Sequence, residues 1–127
     1  MPCYAGETHP VRCTLAYASP EVIRAYIDDT HVVVHPSADV WALGVMAFEV
    51  LSGRRAVQSS SELQAVVSGK QRYPWEVQAA ADTGEEPWRK LRLWALVEAC
   101  LARDPAARPT AATVVQRLQK SFQMTTR

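Results

Sequence analysis

Asp39-Val40-Trp41-Ala42-Leu43-Gly44 opens a stretch from Ala38 to Leu51 that holds no proline and ends at Ser52-Gly53. Ser37 is placed to cap its start and Gly53 to stop it, so the stretch predicts a helix. Its apolar residues, Val40, Trp41, Leu43, Val45, Met46, Phe48, Val50 and Leu51, fall on every side of the helix rather than in one stripe. An apolar circumference predicts burial all round and therefore neighbours on all faces. Gly44 in mid-helix costs about 1 kcal/mol against alanine, which predicts a close approach by another element there. Asp39 in the first turn favours the positive end of the helix dipole without any further role. Glu49 interrupts the circumference where the helix is expected to reach solvent.

Shorter elements flank this helix. Pro20 to Ile27 reads as a helix with proline at its first turn, ending near Asp28-Asp29, and His31 to Val34 as an extended connector stopped by Pro36. Downstream, Ser60 or Ser61 caps a short helix to Ser68 with Leu63, Val66 and Val67 on one face, and Gly69 lies just beyond. Lys70 to Pro87 reads as a long loop with a Tyr-Pro-Trp and a Pro-Trp anchor on either side of an acidic tip. Trp88 to Ala102 carries Leu93, Trp94, Val97, Cys100 and Leu101 at helical spacing, and Asp104-Pro105 ends it. Thr110 caps a last helix with Val114, Val115, Leu118 and Phe122 in its stripe. Residues 1–12 show neither periodicity and read as irregular.

Composition narrows the function classes. With 48% hydrophobic and 21% charged residues among 127, the chain suits one mainly α globular unit or part of a larger one. A net charge of +1 gives no broad field toward nucleic acid or anionic membrane, so a polyanion partner is not indicated. Cys3, Cys13 and Cys100 are odd in number and widely spaced, which argues against a disulfide framework or zinc site and predicts a reducing, intracellular, cytoplasmic setting. No signal-peptide pattern is present, and the longest apolar run, Val40 to Phe48, is too short for a membrane span. His9, His31 and His35 lack the partners that a catalytic or metal-binding role needs.

Three islands in fixed order carry a resemblance: Cys13-Thr14-Leu15-Ala16-Tyr17-Ala18-Ser19-Pro20-Glu21, Asp39-Val40-Trp41-Ala42-Leu43-Gly44, and Arg103-Asp104-Pro105 with Arg108-Pro109-Thr110. They resemble the G-T-x-x-Y-x-A-P-E, D-V-W-S-L-G and R-D-P-x-x-R-P-T segments of the protein kinase catalytic domain, with Cys13 in place of glycine and Ser19 in place of alanine. The resemblance runs from about Cys13 to residue 124 and implies the helical C-terminal lobe of a kinase-like fold, without the N-terminal β-rich lobe. It implies the serine/threonine type, with Thr14 and Tyr17 in the loop facing the substrate hydroxyl. Ser19, Pro20 and Glu21 would close the activation segment. A Glu21–Arg108 bridge would tie that segment to the last helices, a pairing suited to arginine's planar fork. Asp39 would be a buried carboxylate accepting hydrogen bonds from the catalytic loop, Trp41 and Gly44 would be packing residues, and Glu49 would be a contact for a basic substrate residue.

Phosphoryl transfer needs a loop over the phosphates, a nucleotide-binding lysine, a catalytic aspartate and a metal-binding aspartate. The chain has no G-x-G-x-x-G, V-A-I-K, H-R-D-L-x-x-x-N or D-F-G. The expected protein is a truncated serine/threonine kinase domain that by itself holds no catalytic, cofactor-binding or metal residue, ATP and Mg2+ being cofactors of an intact parent. A second reading is a non-catalytic, kinase-derived module binding a protein partner through the Lys70 to Pro87 loop and the helix before it. A third, an unrelated helical domain, predicts Glu21 and Arg108 far apart.

Overall fold

The computed structural model describes residues 14–30, 35–77 and 86–125, with side chains through Ser121 from Leu15 onward. The expectations for residues 1–13, the His31–Val34 connector, the loop tip at 78–85 and the side chains of Thr14 and Phe122 lie outside the described residues. Five α-helices form among the described residues: α1 Pro20–Ile27, α2 Pro36–Ser52, α3 Ser60–Ser68, α4 Trp94–Cys100 and α5 Ala111–Thr125. Short 3-10 turns at Thr14–Tyr17, Pro74–Glu76, Pro87–Lys90 and Pro105–Ala107 connect them, and no strand occurs among the described residues. No helix among them is long and apolar enough to cross a membrane.

α2 is the axis of the molecule. It starts two residues earlier than the sequence predicts: Pro36 occupies the first turn, where a missing N–H costs nothing, and His35 is the cap, its Nδ1 accepting from the Ser37 N–H at 3.1 Å. Gly53 ends it in the left-handed conformation, φ 73°. Trp41, Gly44, Val45 and Phe48 make its inner face, with Trp41 and Phe48 wholly buried. These positions recur at i, i+3, i+4 and i+7, one helical face.

The opposite face corrects the expectation of burial all round. Leu43, Met46 and Val50 are exposed, at 43%, 50% and 82%, and Asp39 is exposed with them. The described elements cover one side of α2 only.

Aromatic rings radiate from the covered face. Phe48 meets Trp75 at 5.1 Å, Trp88 at 5.2 Å and Trp94 at 6.2 Å, while Trp41 meets Tyr73 at 5.3 Å and Trp75 at 5.7 Å. Most pairs are edge-to-face, the arrangement the ring quadrupole favours. The aromatic rings of the Tyr-Pro-Trp and Pro-Trp anchors, Tyr73, Trp75 and Trp88, are therefore core residues.

The predicted helix from Trp88 to Ala102 is broken. Pro87–Lys90 forms a 3-10 turn, Leu91 is extended at ψ 141°, and α4 begins only at Trp94. On a continuous helix Trp88 and Trp94, six residues apart, would project about 120° apart around the axis. The break brings both indoles onto Phe48 and within 4.4 Å of each other.

α4 crosses α2 at Gly44, where an added Cβ would lie 3.0 Å from Cys100 Cβ and from Leu101 Cγ and Cδ2. The close approach predicted at this glycine is present. Val40, Leu96, Cys100 and Val114, with Leu118 alongside, pack α2, α4 and α5 together, whereas Val115 of the predicted stripe faces solvent. α3 is capped by Ser59 rather than Ser60 or Ser61, through Ser59 Oγ and the Glu62 N–H at 3.2 Å. Arg24 of α1 donates to the Val67 carbonyl of α3 at 3.0 Å.

Candidate functional site

Ser19 precedes α1 with extended backbone, and its carbonyl accepts from the Val22 and Ile23 N–H groups. The residue is fully buried. Pro20 fixes the first helical turn, and Glu21 in that turn points its carboxylate to Arg108, 87 residues later.

Arg108 is the centre of this region. Its Nη1 and Nη2 donate to Glu21 Oε1 and Oε2 at 2.8 and 2.9 Å, a bidentate pair. Nε donates to the Ala102 carbonyl at 2.7 Å, Nη1 also to the Ser37 carbonyl at 3.1 Å, and Nη2 also to the Arg103 carbonyl at 3.2 Å. The guanidinium lies 5.0 Å from the Trp41 ring centroid. One buried arginine so holds the start of α1, the start of α2 and the turn after α4. Burial by itself would raise the Glu21 pKa, but hydrogen bonds and charge from Arg108 outweigh it and hold the carboxyl below its ordinary value.

A second bridge lies beside the first. Arg103 Nε and Nη2 donate to Glu76 Oε2 and Oε1 at 2.6 and 2.8 Å, and its guanidinium sits 5.0 Å from the Tyr73 centroid. Glu76 Oε1 also accepts from the Tyr73 N–H at 2.8 Å. Burial opposes ionisation of Glu76, yet Arg103 and the Tyr73 N–H bring its pKa below the ordinary value. Arg103 stands in the Arg103-Asp104-Pro105 island with nothing nearby in the sequence to mark Glu76 as its partner. Glu76, three residues after Tyr73, supplies one half of a helix-start box by accepting the Tyr73 N–H, a spacing visible in the sequence.

The Thr14–Tyr17 turn meets α2 through Tyr17. Its hydroxyl donates to Glu49 Oε1 at 2.6 Å, and Glu49 Oε2 accepts from the Ala56 N–H at 3.1 Å. Glu49 is half-buried, and both its oxygens serve contacts within the chain rather than pointing free into solvent. The hydrogen bond to Glu49, with burial and the carboxylate's charge, raises the Tyr17 pKa and keeps its proton in place.

Of the residues singled out in the sequence, the fold brings Glu21, Arg108, Trp41 and Ser19 to one junction and Tyr17 and Glu49 to another. Gly44 lies apart, at the α4 crossing. Asp39 joins none of them: its carboxylate sits at the exposed start of α2, where the helix dipole suffices to explain it. The catalytic-loop donors that would bury it do not occur among the described residues. No group of three or more His, Cys, Asp or Glu close enough to hold a metal occurs there either. The arrangement is suited to holding segments in place.

Comparison with known proteins agrees with this geometry. The family profile described as the protein kinase domain matches residues 4–119. The serine/threonine-protein kinase BIK1 of Arabidopsis thaliana is 28% identical over 116 residues, covering 84% of this chain and 28% of that protein. Receptor-interacting serine/threonine-protein kinase 3 of Rattus norvegicus is 31% identical over 99 residues, covering 76% and 20%. Mitogen-activated protein kinase kinase kinase 10 of Xenopus laevis is 30% identical over 108 residues, covering 83% and 9%. The chain thus spans between 9% and 28% of the length of these relatives.

Proposed function

We propose a function from one premise: this chain belongs to the protein kinase domain family. Residues 13–124 form the substrate-side, helical part of a serine/threonine kinase domain. The complete domain would transfer the γ-phosphoryl group of ATP, with Mg2+, to a hydroxyl of a protein substrate. In that role Thr14 and Tyr17 stand at the loop facing the acceptor, and Glu21, Arg108, Trp41 and Gly44 hold the platform together.

The observation that carries the reading is the bidentate Glu21–Arg108 bridge, which joins the Ser19-Pro20-Glu21 segment to the Arg108-Pro109-Thr110 turn across 87 positions. An unrelated helical domain gives no reason for these two side chains to meet. The second reading, a non-catalytic module binding a protein through the Lys70 to Pro87 loop and the helix before it, has less aromatic surface to offer, since Tyr73 and Trp75 of that loop are buried in the core. Cys100, free and buried, suits a reducing compartment.

Calorimetric titration of this chain with Mg-ATP tests the proposal. No saturable heat is expected, because the groups that grip phosphates and metal are missing from its sequence. Binding in the micromolar range by the 127-residue chain alone would overturn its assignment to the substrate side.

A further inference from the structure

The rim of the Tyr17–Glu49 junction carries an unused charge. Glu49 accepts from the Tyr17 hydroxyl through one oxygen and from the Ala56 N–H through the other. The second bond places the backbone of Arg55, the preceding residue, one peptide unit from that carboxylate. Arg55 is exposed and has no hydrogen bond or ion pair among the described residues. Its neighbour Arg54 differs, since Arg54 Nη1 lies 3.1 Å from Glu86 Oε1. The positive charge of Arg55 also acts on the Tyr17 hydroxyl, opposing the rise in that group's pKa that Glu49 causes.

A basic side chain arriving at this rim would face the like charge of Arg55 and a carboxylate already bonded twice. A carboxylate would meet a free guanidinium whose fork matches it. A phosphate dianion is generally read by a cluster of arginines, and Arg55 is a single free one. We infer that Arg55 selects protein substrates with an aspartate or glutamate beside the acceptor hydroxyl, a preference opposite in sign to the one Glu49 would impose. The inference rests on the substrate-side reading above.

The test immobilises the chain on a biosensor surface and compares three serine peptides matched except for flanking Glu, Gln or Lys. The Glu peptide should bind about three- to fivefold more tightly than the Gln peptide at low salt, the range of an exposed ion pair, with Lys weakest. At about 0.5 M salt the difference should largely vanish. Arg55→Glu should reverse the order, and Arg54→Gln, which removes an already paired charge, should keep it. Near-UV circular dichroism of the buried tryptophans reports that each variant is folded. Tightest binding of the Lys peptide, or an order unchanged by Arg55→Glu, overturns the preference and leaves the substrate-side reading standing. Failure of all three peptides to bind overturns that reading and the preference with it.

Discussion

Arginine has five N–H donors, and at Arg108 the fold supplies five acceptors: both Glu21 oxygens and the carbonyls of Ser37, Ala102 and Arg103. The side chain is 0% exposed whereas that of Glu21 is 28% exposed, so the two partners are not equivalent. Removing the carboxylate strands a buried cation, while removing the cation leaves a carboxylate that water can reach. Glu21→Ala should therefore cost about 3 kcal/mol or more, read as a lower urea midpoint with an unchanged slope. Arg108→Lys keeps the charge but brings three donors instead of five, and should cost about 2 kcal/mol. Acid gives an independent check. Glu21 and Glu76 both have pKa values lowered from 4.5 by their arginines, so between 4.5 and the lowered values the unfolded chain binds more protons than the folded one. Stability should be fully present above that window and decline as pH falls through it. A Glu21→Gln, Glu76→Gln double variant should show a flatter decline in unfolding free energy between about pH 5 and 3; an equally steep one would remove these two groups from the account.

Helices were legible in the sequence wherever a local stop or start fixed them, and misread where a distant partner did. Gly53 and Gly69 end α2 and α3 in left-handed geometry, as their positions after Ser52 and Ser68 imply. The break at Leu91 could not be read, because the reason for it is Phe48, a ring on another helix that both Trp88 and Trp94 must reach. His35 as the cap of α2 was hidden by Ser37, a better cap on general preference. The Glu21–Arg108 bridge came from the resemblance, whereas Glu76–Arg103, 27 positions apart, had no such guide. Gly44 was legible as a cost that a close approach would offset, and α4 is the element that makes the approach. Gly44→Ala should gain up to about 1 kcal/mol in helix propensity and lose about 1–3 kcal/mol to overpacking against Cys100 and Leu101. Net destabilisation of about 1 kcal/mol is expected in thermal unfolding, and a raised midpoint would mean that α4 yields freely.

Across the molecule, α2 has two apolar faces and the described elements cover one. Asp39, Leu43, Met46 and Val50 follow one another at i, i+4, i+7 and i+11, so the exposed apolar residues form a continuous stripe rather than scattered points. Scattered exposed leucines are ordinary, but a contiguous apolar strip favours association or loose packing. The 127-residue chain should accordingly bind an apolar-surface dye and sediment with a concentration-dependent mass. The test must separate this stripe from general instability. Met46 and Val50 are 50% and 82% exposed, so replacing them removes little buried area. Lysine is at least as good a helix former as valine, and surface changes of this kind usually shift stability by no more than about 0.5 kcal/mol. The Met46→Lys, Val50→Lys double variant should therefore unfold at nearly the same urea concentration as the parent chain while losing most of the dye signal and the mass increase. If both persist in a variant of unchanged stability, the adhesive surface lies elsewhere; if the parent chain stays monomeric and dye-free at high concentration, the exposed face of α2 carries no such liability.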